Sequence, residues 1–505
     1  MFNIKILTAG ALAVLLTVVS GCSKDYFDIN NNPNQVVDAS PQLVLPNALA
    51  NTASYVTTNF PFLNLWMGYW NFSGGYGINS SEKNYNFTNT YSSVLSPGSG
   101  RRTDIWGDAY TNLKNYNFID TRAGELGQPY LQGAAKIMKA FTFQYLVDTF
   151  GNIPYSQALQ GTTAIQPKYD DAQAIYEDLV KQIDAGMALL AKSEGTLNPG
   201  SNDILFNGKA SSWLKFGNTL KLRLLLRQSE KADRAAYIQT QLAALKASPY
   251  GFLGAGENAG VNPGYTNSAN QQNPFYGTFG YNINGKFIEA YNYYKGNGYA
   301  INFYKSNNDP RLGAYYAPVP NTTDSYNGTL FGTSDTQPNS AVSGIGPGLL
   351  QSVDQSSVIL SSHESLFMQA EAAQRGWITG DPRTLYQSAI TESFVNVGRT
   401  AAEATAYYSQ AGLKNVNWDA SPNKIEAIIT QKWASENGLS PFEAWSDYRR
   451  LGLPATIPIS EDPTVTTAQI PVRLFYPQSE QSTNAANVAT QGNISQFTSK
   501  IFWMK

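Results

Sequence analysis

The chain has 505 residues, 35 Lys and Arg against 37 Asp and Glu, a formal net charge of −2, one histidine and one cysteine. A near-neutral balance leaves no electrostatic footprint for nucleic acid or an anionic membrane surface. One histidine and one cysteine exclude zinc sites built from several of either and any intramolecular disulfide, and allow at most one Ser-His-Asp or Cys-His arrangement; no metal and no cofactor is expected.

Residues 1–21 have the layout of a lipoprotein-type signal peptide: Lys5 as the basic start, an apolar run from Ile6 to Val19, then small Ser20 and Gly21. The run is shorter than the roughly 20 apolar residues a membrane-spanning helix needs. The tetrapeptide Val19-Ser20-Gly21-Cys22 resembles the bacterial lipobox, so Cys22 is the expected lipidation site. Two or more acyl chains would anchor the protein stably, because each buried methylene adds about 0.8 kcal/mol. Residues 22–40 read as a polar tether. Within them Asp28, Asn30 and Asn32 imitate the start of a calcium loop, but Pro33 and Ala39 stand where that loop needs Gly and Glu, so the match fails.

From residue 41 a single domain is expected, with helices in neighbouring pairs. Residues 102–122 precede 129–149, where Leu131, Ala135, Met138, Phe141 and Tyr145 keep helical spacing. A third helix is expected to start at Asp170 with Gln173 in a capping-box position, and a fourth over 209–230 with Trp213, Phe216, Leu220 and Leu224 on one stripe. Residues 363–376 pair with 382–397, the latter opened by Asp381-Pro382 and ended by Gly398. The same Ser-Pro device at Ser421-Pro422 and Ser440-Pro441 brackets the last pair. The fold class is therefore mostly α, about four tetratricopeptide-like helix pairs, with 231–357 as a large irregular, loop-rich subdomain rich in Gly, Asn, Pro and Tyr.

Titratable residues that could suggest chemistry have plainer readings. His363 opens a helix as a first-turn residue, Asp170-Asp171 form a cap rather than a glycosidase pair, and Arg449-Arg450 anchor a helix end.

Two windows concentrate aromatics. Residues 60–91 hold ten and 275–304 hold eleven, where the overall 13% would place about four in each. Flat rings suit sugar faces, and Asn side chains suit hydroxyls. Candidate ligand-binding residues are Trp66, Trp70, Tyr76, Tyr281, Tyr291 and Tyr293, with Asn71, Asn79, Asn282 and Asn284 as polar company. The competing reading is that the same rings pack loops onto the helices.

Five stretches resemble one family: CSKDYFDINNNPN (22–34), FGNIPY (150–155), ASSWLKFGNTLKLRLLLR (210–227), PFEAWSDYRRLGLP (441–454), and RLFYPQSEQSTN (473–484) with its Arg473, Tyr476, Glu480 and Asn484. They look like the SusD/RagB nutrient-binding outer-membrane lipoproteins of Bacteroidetes. The resemblance implies a non-catalytic protein that binds oligosaccharides, or in some branches peptides, and delivers them to a SusC-like TonB-dependent transporter. It also implies an outer-membrane lipid anchor facing the cell exterior. A surface glycosidase working through two carboxylates is the reading from a different class.

Overall fold

A computed structural model describes residues 39–74, 83–85, 93–95, 102–467 and 469–505. The expected signal peptide, Cys22, the tether up to residue 38, Tyr76 and Asn79 lie outside the described residues.

The N-terminal half is built on five long helices: α1 (Pro41–Thr58), α2 (Ile105–Glu125), α3 (Pro129–Phe150), α4 (Ala172–Ala191) and α5 (Ala210–Arg227). The strand β1 (Trp70–Phe72) lies between α1 and α2. Within 231–357 come α6 (Ala235–Ala247), β2 (Ala259–Val261), α7 (Pro274–Phe279), α8 (Glu289–Tyr293) and β3 (Tyr294–Gly296). The C-terminal half supplies β4 (Ser357–Leu360), α9 (Ser362–Gln374), α10 (Pro382–Asn396), α11 (Lys424–Ser435) and α12 (Pro441–Leu451). The fold is mostly helical, as expected, and 231–357 is less irregular than its composition indicates because it starts with α6.

Helix starts follow side-chain capping, which satisfies backbone N–H groups that have no partner in the first turn. Asp104 accepts from the amides of Trp106 and Gly107 and opens α2. Asp381 accepts from Thr384 N at 3.0 Å, with Pro382 at the first helical position of α10. Two expected starts move. Asp171, not Asp170, caps α4 by accepting from Ala174 N, because Asp170 is occupied with the amides of Tyr155 and Ser156. Asn423, not Ser421, caps α11, since the Ser421 hydroxyl bonds Asn415 N and Asn417 O.

Consecutive helices α1 to α5 pack side by side, as do α9 and α10, while α11 lies chiefly on α9. At the crossing of α3 and α4 the backbones approach through two glycines. A Cβ on Gly133 would come within 2.6 Å of Gly186 O, and one on Gly186 within 2.7 Å of Gly133 O, so this crossing tolerates no side chain on either helix.

Where α3, α5, α9, α11 and α12 meet, the interior is charged. Arg227 bonds Glu443 at 2.5 Å and Asp148 at 3.3 Å; Arg223 bonds Glu364 at 2.7 Å; Arg450 holds Glu371 through its two terminal guanidinium nitrogens at 2.5 and 2.7 Å; Lys432 bonds Asp447 at 2.7 Å. All are buried. Asp148 also accepts from Trp503 Nε1 at 2.8 Å and from the Tyr176 hydroxyl. Burial drives the Glu436 carboxyl well above the usual carboxylate range, against the opposing pull of Lys432. The stretches 210–227 and 441–454 supply most of these charges. Arg449 donates to the carbonyls of Asp148 and Val472 and lies 3.4 Å over the Trp445 ring, so it ties the end of α12 to two other segments.

The C-terminal stretch 473–484 clips onto the 150–170 region. Tyr476 donates to Asn152 O at 2.8 Å, Glu480 accepts from the Tyr169 hydroxyl at 2.8 Å, and Asn484 donates to Pro167 O at 2.9 Å.

Candidate ligand-binding surface

The two aromatic windows are far apart in sequence and adjacent in space. β1 pairs antiparallel with β3, placing Trp70 opposite Gly296, Asn71 opposite Lys295 and Phe72 opposite Tyr294. Aromatic residues are favoured on short pleated pairs because cross-strand rings bury each other.

Chain geometry on either side of α7 aligns four rings. Asn273 caps α7 by accepting from Tyr276 N at 3.0 Å, and the helix ends at Gly280. The next residues form a tight hairpin: Tyr281 and Phe287 face each other as an antiparallel bridge, and Asn282 N donates to Lys286 O at 2.9 Å. Asn282 Oδ1 accepts from Asn284 N and Lys286 N, and Gly285 takes φ +68°, which a glycine adopts without strain.

The rings of Phe287 and Tyr291 stack at 3.8 Å and 9°, Tyr281 and Phe287 at 4.6 Å and 28°, and Tyr276 and Tyr281 at 5.3 Å and 30°. Tyr281 and Tyr291 are 6.4 Å apart. Tyr281 and Tyr291 thus both stack on Phe287, and Phe287 itself remains 47% exposed. In the same segment Ile283, at 42%, and Asn284, Lys286 and Glu289 are also exposed. Behind this ladder Lys295 is buried, donates to Tyr291 O at 3.1 Å and lies 4.8 Å from the Tyr291 centroid. Burial pushes its ammonium down to about 8, and burial with Tyr281 pushes the Tyr291 phenol up to about 12. The Tyr291 ring is thus neutral at physiological pH.

The structure separates the candidates. Tyr281 and Tyr291 belong to the ladder, Tyr281 half-buried and Tyr291 at 9% exposure. Tyr293 is half-buried beside it, edge-on to Phe72 at 5.0 Å. Trp66 and Trp70 are corrections. Trp66 is fully buried among Phe62, Tyr85 and Trp445, and Trp70, at 1% exposure, among Phe275, Phe279 and Tyr294, so neither offers a ring face to a ligand. Asn71 is also structural, donating to Thr329 Oγ1 and Leu330 O, and Asn282 holds the hairpin. Phe287 and Tyr276 were not singled out by sequence; the Asn284-Gly285 turn signal, which predicts that Tyr281 and Phe287 face each other, could have found Phe287. Among the described residues no three His, Cys, Asp or Glu cluster as a metal site, and no helix is long and apolar enough to cross a membrane.

The profile of a family described as SusD-like, "Starch-binding associating with outer membrane", matches residues 33–477. The chain belongs to the SusD-like family. A chitin-binding SusD homolog from Flavobacterium johnsoniae is 25% identical, with a TM-score of 0.71 over 91% of this chain and 98% of that one. A SusD homolog from Bacteroides fragilis is 21% identical, with a TM-score of 0.74 over 93% of this chain and 100% of that one. A SusD/RagB family protein from Bacteroides thetaiotaomicron is 21% identical, with a TM-score of 0.74 over 92% and 99%. A search of curated protein sequences finds no match.

Proposed function

We propose that this SusD-like protein is a non-catalytic, lipid-anchored glycan-binding protein of the outer membrane, and that it captures oligosaccharides through the ladder formed by Tyr276, Tyr281, Phe287 and Tyr291. The exposure of Phe287 within this group of stacked rings carries this reading: flat, partly exposed aromatic surface suits the C–H face of a sugar, and such rings lose little entropy on binding because they are already ordered. The family description and the chitin-binding relative support a carbohydrate ligand. Cys22 is the proposed anchor and a SusC-like TonB-dependent transporter the proposed recipient.

Calorimetry with chitooligosaccharides, maltooligosaccharides and a peptide pool tests the ligand class. Binding of a glycan that is weakened by Phe287→Ala supports the reading. Binding of peptides alone, or glycan turnover abolished by one Asp or Glu substitution, would overturn it. Gentle extraction from the native membrane should bring a transporter with the protein; a lone monomer would count against delivery.

A further inference from the structure

Between α2, α3, α4 and the loop after α3 lies a groove of about 400 Å³ that shares no residue with the aromatic ladder. That is toward the small end of the range of about 300–1,000 Å³ for small-molecule pockets. Helix α3 contributes Lys136, Lys139, Ala140 and Phe143, whose spacing puts them on one helix face. Among the described residues the charged lining is Lys136 and Lys139 against Asp120 and Asp178, so the groove is neutral overall.

The charges are not evenly mixed. Both ammoniums bond the same oxygen, Asp120 Oδ2, at 3.1 and 3.0 Å, and Asp120 is itself only 8% exposed. Their next bonds go to neutral carbonyls, Lys139 to Asn117 Oδ1 at 3.1 Å and Lys136 to Gln182 Oε1 at 3.4 Å. Two cations thus share one carboxylate, and each ammonium keeps a third N–H donor. Asp178, by contrast, pairs with no cation of the described residues. Its Oδ2 accepts from the Tyr155 hydroxyl at 2.5 Å and from Gln182 Nε2 at 3.3 Å, while its Oδ1 accepts nothing from the described residues. Asn117, Asp120, Tyr155 and Gln182 all line the groove, so the charged ends they bond, and not only the side-chain stems, lie along it.

Gln182 measures the gap between these two poles. Its amide oxygen faces Lys136 and its amide nitrogen faces Asp178, and both bonds are at the long limit for such contacts. One planar amide therefore reaches from the cation pole to the anion pole. The carboxylate and ammonium of an α-amino acid, carried on one carbon, present the same acceptor and donor at a similar separation, with full charges in place of partial ones. A lone anion would meet Asp178 as a repelling pole, and a lone cation would meet the two lysines.

We propose that this groove binds a free α-amino acid with an apolar side chain. Its carboxylate takes the remaining donors of Lys136 and Lys139, its ammonium takes Asp178 Oδ1, and its side chain lies against the apolar lining of Phe143 and Leu159. The ligand displaces the Gln182 amide, whose two bonds are the longest in the chain. The site is independent of glycan capture by the ladder.

Calorimetry of the full-length protein with L-leucine, L-leucine methyl ester and N-acetyl-L-leucine tests this. L-leucine should bind saturably, and each derivative, lacking one charge of the pair, should bind about tenfold more weakly or worse. Asp178→Asn keeps an acceptor for Tyr155 and Gln182, and should weaken L-leucine about tenfold while leaving the circular dichroism spectrum unchanged. Gln182→Ala removes the competing amide and should tighten L-leucine about threefold, and Phe287→Ala should leave it unchanged. No saturable heat with L-leucine, equal binding of either derivative, undiminished binding in folded Asp178→Asn, failure of Gln182→Ala to tighten it, or loss in Phe287→Ala would each overturn the proposal.

Discussion

Replacing Arg227 by Met removes a cation that two buried carboxylates share. The guanidinium lies 2.5 Å from Glu443 and 3.3 Å from Asp148, with Asp447 at 3.8 Å, and 1% of the residue is exposed. Breaking a buried pair from one side costs about 3–5 kcal/mol, because the remaining charge stays desolvated. Two features place this case near the lower bound. Asp148 keeps its bonds from Trp503 and Tyr176, and Glu443 keeps Arg223 at 3.6 Å and Lys432 at 4.0 Å. The expected loss is about 3 kcal/mol at neutral pH, read by urea denaturation followed by circular dichroism. The pH dependence has a definite sign. Burial by itself raises the Glu443 carboxyl, but Arg223, Arg227 and Lys432 outweigh it and hold the group below its usual value. Its stabilisation is therefore present above the unfolded-state carboxylate range and is lost as pH falls. Without Arg227 the folded-state value rises, the carboxylate takes up a proton more readily, and the difference between the two proteins shrinks toward acid pH. A second substitution, Glu443→Gln in the Arg227→Met background, should recover part of the loss. A loss under about 1 kcal/mol that does not vary with pH would refute the view that these charges weld the helices together.

Phe287→Ala should weaken glycan binding about tenfold, equal to about 1.4 kcal/mol, within the range for one stacking ring, while changing the melting temperature little because the side chain is 47% exposed; unchanged calorimetric affinity would remove the ladder from the binding surface. Gly186→Ala should destabilise by about 1–3 kcal/mol through the clash with Gly133 O, and a neutral result in thermal denaturation would show that α3 and α4 can separate. Lys295 has its folded-state value pushed below the unfolded one by burial, so the unfolded chain holds the proton longer and stability should rise as pH goes from about 8 to about 10.5, by up to about 3 kcal/mol. Lys295→Met should flatten that rise in denaturant titrations at several pH values. Cys22→Ala should abolish membrane attachment in cell fractionation while leaving ligand binding by the purified protein intact; a variant that stays in the membrane fraction would refute lipidation at Cys22.

Much of the scaffold was legible because it is written locally. A helix of α3 or α10 length repeats its apolar side every three or four residues and starts at proline or a capping side chain, and both signals lie within a few residues of the element they predict. The errors came where two equivalent caps stood close together. Asp170 and Asp171 are alike in isolation, and the choice between them was made by the amides of Tyr155 and Ser156, which belong to another segment. Ser421 lost its capping role to Asn423 for the same kind of reason.

The candidate site was half legible. An excess of rings in two windows correctly marked a place where rings gather, but local composition does not say which side of a ring meets water. That was decided by pairing of β1 with β3 across more than two hundred residues, which drew Trp70 inward, while the hairpin after α7 left Phe287 exposed opposite Tyr281.

The amino-acid sequence alone determined that this chain is mostly helical, carries the stretches of the SusD-like family and reserves two aromatic windows, since these depend on periodicity, capping and order along the chain. Only the tertiary structure decided which aromatics are core, why Arg223, Arg227, Glu443 and Arg450 stand where they do, and that Lys136 and Lys139 share the carboxylate of Asp120. Burial and electrostatic pairing are properties of what surrounds a side chain, and here those surroundings are assembled from segments distant in the chain.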